Sequence, residues 1–182
     1  MTSIDPNELF IGHRLDADGP LSVDPSDLTT HGVIVGMTGS GKTGAFALPI
    51  LQELLDKPQA FFALVLSPTR ELAIQIHEES RKFAYQTGVA ACVVYGGAPA
   101  AQQFREMERG CDVLIATPGR LIDLVDRAKI SLERIAYLAL DEADRMLDMG
   151  FEEDVKDIIS HCRSKQERHT AMLSATWPAC IR

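Results

Sequence analysis

The stretch from Val33 to Thr43 reads VIVGMTGSGKT. Its first three residues form an apolar run that is typical of a buried strand. The rest matches the full pattern of Gly, four residues, Gly, Lys and then Ser or Thr, which is the pattern of a phosphate-binding loop. Apolar residues at helical spacing follow, so the motif has the strand–loop–helix context that it requires. The stretch therefore predicts a phosphate site at the end of a buried strand.

Each residue type in this loop has a physical role. Glycines let backbone N–H groups surround phosphate oxygens, and the N-terminus of the following helix attracts an anion. Lys42 is expected to reach the β- and γ-phosphates, and the Thr43 hydroxyl is expected to bind Mg²⁺. A glycine-rich turn without a ligand is the alternative, which the complete motif disfavours. The residues expected to bind ATP are Gly36, Met37, Thr38, Gly39, Ser40, Gly41, Lys42 and Thr43.

Further short apolar runs recur along the chain, with helix-like segments between them. The runs are continuous, not alternating, as expected for strands covered on both faces of a parallel sheet. Two segments carry apolar residues at helical spacing: Thr43–Asp56, which Pro49 is expected to kink or make less regular, and Glu71–Gln86. This order predicts an α/β fold, a mostly parallel doubly wound sheet with helices on both faces. The further runs are Phe61–Leu66, Ala90–Tyr95, Val113–Ala116, Ile135–Leu140 and Thr170–Leu173.

Ligands of such sheets bind at the carboxyl ends of the strands, so the residues after each run are candidate site residues. Asp141-Glu142-Ala143-Asp144 follows the run that ends at Leu140. Asp141 is expected to hold Mg²⁺, and Glu142 to polarise the attacking water. Acidic residues are also common in turns, but the phosphate-binding loop elsewhere in the chain favours the catalytic interpretation. Lys42, Asp141 and Glu142 are the candidate catalytic residues.

Composition limits the remaining possibilities. The chain has 182 residues, enough for one compact domain, and its formal net charge is −8, which argues against a strong non-specific grip on nucleic acid. No apolar stretch approaches a membrane span and the N-terminus does not resemble a secretory signal. Four scattered cysteines without a CxxC pair suggest reduced thiols in a cytoplasmic or nuclear protein. The first thirty residues are rich in turn formers, which predicts turns and one short hairpin or edge strand.

Five motifs in order give the chain a clear resemblance to a family. TGSGKT (38–43), PTRELA (68–73), TPGR (117–120), DEAD (141–144) and SAT (174–176) resemble the motifs of DEAD-box RNA helicases. The resemblance extends from about Val33 to the C-terminus. It implies a RecA-like ATP-binding domain that binds RNA without reading its sequence, and a second RecA-like domain that these 182 residues do not contain.

The resemblance also implies roles for individual residues. Backbone amides, a hydroxyl and guanidinium groups suit an RNA backbone, although Arg70 and Arg120 could instead form surface or intradomain salt bridges. The residues expected to bind RNA are Pro68, Thr69, Arg70, Gly97, Thr117, Pro118, Gly119 and Arg120. A third group is expected to couple the nucleotide state to RNA binding, through hydrogen bonds from SAT to Asp144. Its members are Asp144, Ser174, Ala175 and Thr176.

Residues 1–32 depart from the family. They contain no glutamine, whereas the family reads adenine with a glutamine-containing motif before the phosphate-binding loop, so adenine selectivity is open. The stretch 19–44 resembles instead the same region of HerA–FtsK-type DNA-translocating ATPases. Similarity to different helicase branches also changes along the chain, which suggests a chimera. We therefore divide the chain into an atypical segment, residues 1–32, and a RecA-like domain, residues 33–182.

Three functions are compatible with these features. The first is the ATP- and RNA-binding domain of a DEAD-box RNA helicase, with Mg²⁺ as cofactor and little activity without its second domain. The second is a ring-forming DNA-translocating ATPase, suggested by residues 19–44. The third is a truncated or chimeric nucleotide-binding module that does not turn over ATP.

Overall fold

The structure is a computed structural model that describes residues 9–13, 20–23, 31–35, 42–127 and 129–174, with side chains from residue 43 onward. Strands and helices alternate along most of this part of the chain. The strands are β1 (Leu9–His13), β2 (Pro20–Val23), β3 (His31–Val35), β4 (Ala63–Leu66), β5 (Ala91–Val94), β6 (Val113–Ala116), β7 (Tyr137–Leu140) and β8 (His169–Ser174). The helices are α1 (Lys42–Asp56), α2 (Arg70–Phe83), α3 (Ala100–Glu108), α4 (Pro118–Asp126), α5 (Ala143–Asp148) and α6 (Glu152–His161).

The main sheet confirms the predicted fold class. Among the described residues it has six strands in the order β3-β8-β7-β4-β6-β5, and every neighbouring pair is parallel. Strands β1 and β2 form a separate antiparallel pair, which agrees with the short hairpin predicted within the first thirty residues. Because all six strands of the main sheet run the same way, their carboxyl ends lie along one edge, which we call the carboxyl edge.

Helices cover both faces of this sheet. In β4, Leu64 and Leu66 pack on one face, and Ala63 and Val65 pack on the other, as the two-residue period of a strand requires. The first face carries buried residues of α3, α4, α5 and α6, and the second carries those of α1 and α2. The strand is fully buried because it has helices on both sides, which explains its unbroken apolar sequence.

Two predicted strands begin two residues later than their apolar runs do. Phe61 has a φ of +53°, a left-handed conformation that does not continue a strand, and β4 begins at Ala63. Before β7, the Ala136 N–H donates to the Phe62 carbonyl at 2.9 Å, and the strand begins at Tyr137. The apolar residues that precede each strand are therefore core residues of connecting segments.

The two predicted helices are present, with altered ends. Helix α1 continues through Pro49. Helix α2 ends at Phe83, earlier than predicted, and Gln86 beyond it has a φ of +63° that is incompatible with a right-handed helix. Within the described ranges, none of the helices is long and apolar enough to cross a membrane.

Candidate functional site

The predicted site residues that the structure describes follow, or end, strands of the main sheet. They therefore gather at the carboxyl edge, and the strand order divides them into two groups. The phosphate-binding loop follows β3, SAT begins at the end of β8 and DEAD follows β7; we call this part the acidic half. PTRELA follows β4, TPGR follows β6 and Gly96–Gly97 follow β5; we call this part the basic half. The order of the strands in space, which differs from their order in the chain, creates this division.

In the acidic half, only β8 separates β3 from β7. Val35 pairs with Ser174, and Leu140 pairs with Met172, so the ends of the three strands are at nearly the same level. Neighbouring strands lie about 4.8 Å apart, which places β3 and β7 about 10 Å apart. Residues 36–41, and the side chain of Lys42, lie outside the described part of the chain. Thr43 lies in the first turn of α1 and is partly buried.

Asp141 is held firmly at the end of β7. Its side chain is buried, with only 4% of the residue exposed. Its N–H donates to the Leu66 carbonyl at 2.9 Å, which continues the pairing with β4. The Oδ1 atom accepts the N–H of Glu142 at 3.0 Å. Because the backbone on both sides is fixed, this carboxylate has a defined position at the carboxyl edge.

Glu142 occupies a strained turn between β7 and α5. Its φ of 49° and ψ of 51° are left-handed, which costs a residue other than glycine on the order of 1–3 kcal/mol. The carboxylate forms an ion pair with Arg145 at 3.0 Å, and 16% of the side chain is exposed. The surrounding structure must therefore hold Glu142 in a conformation that an ordinary turn residue would avoid.

The coupling residues are described in part. Asp144 lies in the first turn of α5, where its Oδ1 atom accepts the Arg145 N–H at 3.0 Å. Helix α5 packs against β8, whose last residue, Ser174, is buried. The structure thus brings the elements that carry Asp144 and Ser174 together, whereas Ala175 and Thr176 lie outside the described residues.

In the basic half, the segment after β4 turns into α2. Pro68 is buried, and Thr69 is the N-cap residue, whose hydroxyl accepts the Leu72 N–H at 3.3 Å. Arg70 is exposed, and its guanidinium carbon lies 5.3 Å from the centre of the Tyr95 ring, a cation–π contact. The cap fixes the direction of the helix, and the ring supports the arginine.

The segment after β6 also leads, through a threonine, directly into a helix. Thr117 precedes α4 and Pro118 occupies its first turn, where proline is favoured. A Cβ atom placed on Gly119 would meet no atom within 4 Å, so the surface at this glycine is open. The Arg120 guanidinium donates to Gln103 Oε1 at 3.0 Å and to the Ala98 carbonyl at 3.0 Å. Both acceptors are neutral, so these contacts are hydrogen bonds and not salt bridges, and they leave the charge of Arg120 uncancelled.

The loop after β5 completes the basic half. Gly97 has a φ of +83°, which glycine adopts without strain. A Cβ atom on Gly97 would lie 3.8 Å from Arg70 Nη1, so the loop passes close to this guanidinium. The N-termini of α2 and α4 face the same edge and add favourable potential for anions. Two arginines and two helix N-termini thus lie along the same part of the carboxyl edge, an arrangement that would suit phosphates without reading a base.

Sequence reasoning missed two residues of this surface, Tyr95 and Gln103. Tyr95 was assigned to a strand, but it follows β5 and lies beneath Arg70. Gln103 is buried in α3, with 5% exposed. The available signal was a polar residue four positions before Met107, on the buried face of an amphipathic helix. That signal predicts an internal hydrogen bond without naming its partners.

A parallel sheet covered on both faces, with these motifs at its carboxyl edge, defines a RecA-like domain. Comparison with known families gives the identification. The family model described as "DEAD/DEAH box helicase" matches residues 25–182, most of the chain. The chain belongs to the DEAD/DEAH box helicase family.

Solved structures agree with this assignment. A hypothetical ATP-dependent RNA helicase from Sulfolobus tokodaii is 37% identical, with a TM-score of 0.74; the match covers 86% of this chain and 44% of that one. A DEAD box protein from Methanococcus jannaschii is 35% identical, with a TM-score of 0.77 and coverages of 86% and 42%. The RNA helicase Prp28 from Chaetomium thermophilum, bound to ADP, is 39% identical, with a TM-score of 0.75 and coverages of 87% and 39%. The chain thus spans less than half the length of these relatives.

Proposed function

We propose that residues 33–182 form the first RecA-like domain of a DEAD-box RNA helicase, which binds ATP and RNA. Joined to a second RecA-like domain, it would hydrolyse ATP with Mg²⁺ and drive local unwinding of RNA duplexes. The observation that carries the proposal is the position of buried Asp141 at the end of β7, which only β8 separates from β3, the strand that precedes the phosphate-binding loop. Family membership and the ADP bound to the relative Prp28 support the nucleotide.

The acidic half fits a magnesium nucleotide. Asp141 supplies a carboxylate and Thr43 a hydroxyl, and Mg²⁺ prefers such oxygen ligands together with phosphates. When bound, the ion would neutralise charge that develops on the β- and γ-phosphate oxygens. Lys42 would bind the same phosphates, and Gly36–Gly41 would surround them with backbone N–H groups.

Glu142 would act on the water that attacks the γ-phosphate. It directly follows Asp141, the proposed metal ligand, and its backbone is left-handed at the start of α5. A carboxylate in this position can accept a hydrogen bond from the water and orient it.

The basic half would hold single-stranded RNA by its backbone. Arg70 and Arg120 would neutralise phosphates, and the open surface at Gly119 would let the strand approach α4 closely. With a net charge of −8 on the chain, affinity has to come from these placed groups and not from the overall field. Asp144, Ser174, Ala175 and Thr176 would couple the two halves.

The second domain would complete the reaction. An arginine supplied from across the cleft contributes on the order of 10³–10⁵ in rate to related phosphoryl transfers. We therefore expect slow ATP hydrolysis by the 182-residue chain alone. The ATPase rate with and without single-stranded RNA tests the function: stimulation by RNA supports it, and neither a basal nor a stimulated rate would favour a module without turnover.

Two features of residues 1–44 can be tested separately. The absence of glutamine from residues 1–32 leaves adenine selectivity open, and equal affinity for ATP and GTP would show that no other group replaces that motif. The similarity of residues 19–44 to DNA-translocating ATPases predicts a hexameric ring as the alternative. Measuring the size of the chain with nucleotide present separates a monomer, which we expect, from a ring.

A further inference from the structure

The two arginines of the basic half are joined by a continuous set of contacts. Arg120 donates to Gln103, Gln103 binds the backbone of Tyr95, and the ring of Tyr95 supports Arg70. The four residues come from four elements: α4, α3, the loop after β5 and α2. The five motifs do not predict this connection, because Gln103 and Tyr95 lie outside them.

Gln103 is the centre of the set. Its Oε1 atom accepts from Arg120 Nη1 at 3.0 Å and from the Tyr95 N–H at 3.4 Å, while its Nε2 atom donates to the Tyr95 carbonyl at 3.1 Å. The residue is only 5% exposed, so water cannot easily replace these partners. The amide therefore fixes the loop after β5 and the Arg120 guanidinium relative to each other.

Arg120 keeps donors for a ligand while it is held in this way. Its bonds to Gln103 and Ala98 use one donor on Nη1 and one on Nη2, out of the five N–H groups that a guanidinium carries. Both acceptors are neutral, so they orient the group without cancelling its charge. A guanidinium fixed through two of its donors loses less conformational entropy when the others bind a phosphate.

Arg70 is held by a different contact. The Tyr95 ring lies beneath its guanidinium at 5.3 Å, and Gly97 passes beside it. The ring restrains an exposed, flexible side chain without occupying its hydrogen-bond donors. Since Gln103 fixes the Tyr95 backbone, the amide also influences Arg70.

We propose that Gln103 and Tyr95 are positioning residues for RNA: Gln103 holds Arg120, Tyr95 holds Arg70, and together they set the two guanidinium groups for one strand of phosphate backbone. This inference rests on the proposed RNA-binding function of the basic half. It extends that function to two residues that bind no phosphate themselves.

The first test measures the affinity of the chain for a fluorescein-labelled oligouridine strand by anisotropy, over a range of salt concentrations. Gln103→Met keeps the length of the side chain and removes both the strong acceptor and the donor. We expect it to weaken RNA binding about tenfold, the factor that corresponds to one hydrogen bond to a charged group. It should also lower the salt dependence, although it changes no charge, because Arg120 no longer neutralises a phosphate.

A double-mutant cycle separates positioning from general stability. In the Arg120→Ala background, Gln103→Met should cause little further loss of RNA affinity, because the residue it positions is gone. Losses that simply multiply, or an unchanged salt dependence of the single variant, would overturn the role of Gln103. Gln102→Met is the matched control: this exposed neighbour on α3 bonds to Glu106, and its replacement should leave RNA affinity unchanged.

Tyr95 provides an independent test, with the backbone contacts to Gln103 retained. Tyr95→Leu removes the ring and should weaken RNA binding about threefold, whereas Tyr95→Phe keeps the ring and should bind like the unmodified chain. Equal affinity of the Leu and Phe variants would contradict the role of the ring. Thermal unfolding checks the fold of each variant, and if Gln103→Met does not fold, the Tyr95 pair decides the proposal.

A different set of results would contradict the proposed RNA-binding function itself. If Arg70→Ala and Arg120→Ala both leave RNA affinity unchanged, the basic half is not the RNA surface. If both weaken binding while Gln103→Met and Tyr95→Leu do not, the RNA surface stands and the positioning role is wrong.

Discussion

The acidic and basic halves of the carboxyl edge are constructed in different ways. In the acidic half, burial and main-chain pairing fix Asp141, and a left-handed backbone fixes Glu142. In the basic half, contacts between side chains and loops of several elements hold Arg70 and Arg120. A site fixed by its backbone depends on the chemistry of single residues, whereas a site held by side-chain contacts distributes its function over many. Substitutions in the two halves should therefore have effects of different size and kind.

The largest effect is expected for Lys42→Ala. Lys42 is the one side chain of the phosphate-binding loop that brings a positive charge to the β- and γ-phosphates. Its removal should weaken ATP binding about 10³-fold, since charge-assisted contacts to two phosphates are lost. Titration calorimetry measures this affinity. Lys57→Ala, at an exposed lysine just beyond α1, is the control, and an equal loss in both variants would contradict the role of Lys42.

The next largest effect is expected for Glu142→Gln, which keeps the size of the side chain and removes its charge. ATP binding should persist, while turnover should fall about a hundredfold or more, the usual contribution of a group that accepts or orients a proton. A phosphate-release assay with RNA present checks the rate. Glu153→Gln, at a side chain that is 86% exposed, is the control. Turnover by Glu142→Gln at the rate of the unmodified chain would remove Glu142 from the mechanism.

Smaller, graded effects are expected in the basic half. Arg70→Ala and Arg120→Ala should each weaken RNA binding about tenfold and reduce the slope of log affinity against log salt by about one. ATP affinity without RNA should not change, because both arginines lie beyond β7 from the phosphate-binding loop. Arg81→Ala, at the other end of α2, serves as the control. A loss of ATP affinity equal to the loss of RNA affinity would contradict the division into two halves.

The smallest effect compares two threonines at equivalent positions. The Thr69 hydroxyl caps α2 by accepting the Leu72 N–H, whereas Thr117 precedes α4 without a side-chain capping bond. Thr69→Ala should therefore lower the free energy of unfolding by about 1 kcal/mol, and Thr117→Ala by clearly less. Urea denaturation measures both. Equal losses would show that the capping bond is not what distinguishes the two positions.

Much of the fold could be predicted because its strands are buried on both faces. The predicted run Val113–Ala116 coincides with β6, and the predicted strands occur in the predicted order. Strand boundaries were predicted less accurately where apolar residues pack in the core but form no strand pairing, as at Phe61. The order of strands in the sheet was not predicted, since it depends on which helices cross which face. That order is what divides the carboxyl edge.

The site was predictable where chemistry restricts the residue type. Few residue types suit a phosphate-binding loop or a metal-binding carboxylate, so the sequence could propose Thr43 and Asp141, and these roles stay predictions. Gln103 could not, because an internal hydrogen bond can be made by many residue pairs. Its partners, Tyr95 and Arg120, meet it only after three segments fold together.

The most direct test of the central claim is a crystal structure of the chain with Mg²⁺ and a non-hydrolysable ATP analogue. We predict the triphosphate within residues 36–43, with the Asp141 carboxylate bound to Mg²⁺ directly or through one water and Glu142 facing the γ-phosphate. A triphosphate bound elsewhere, or carboxyl groups of Asp141 and Glu142 turned away from the phosphates beyond the reach of a bridging water, would contradict the account.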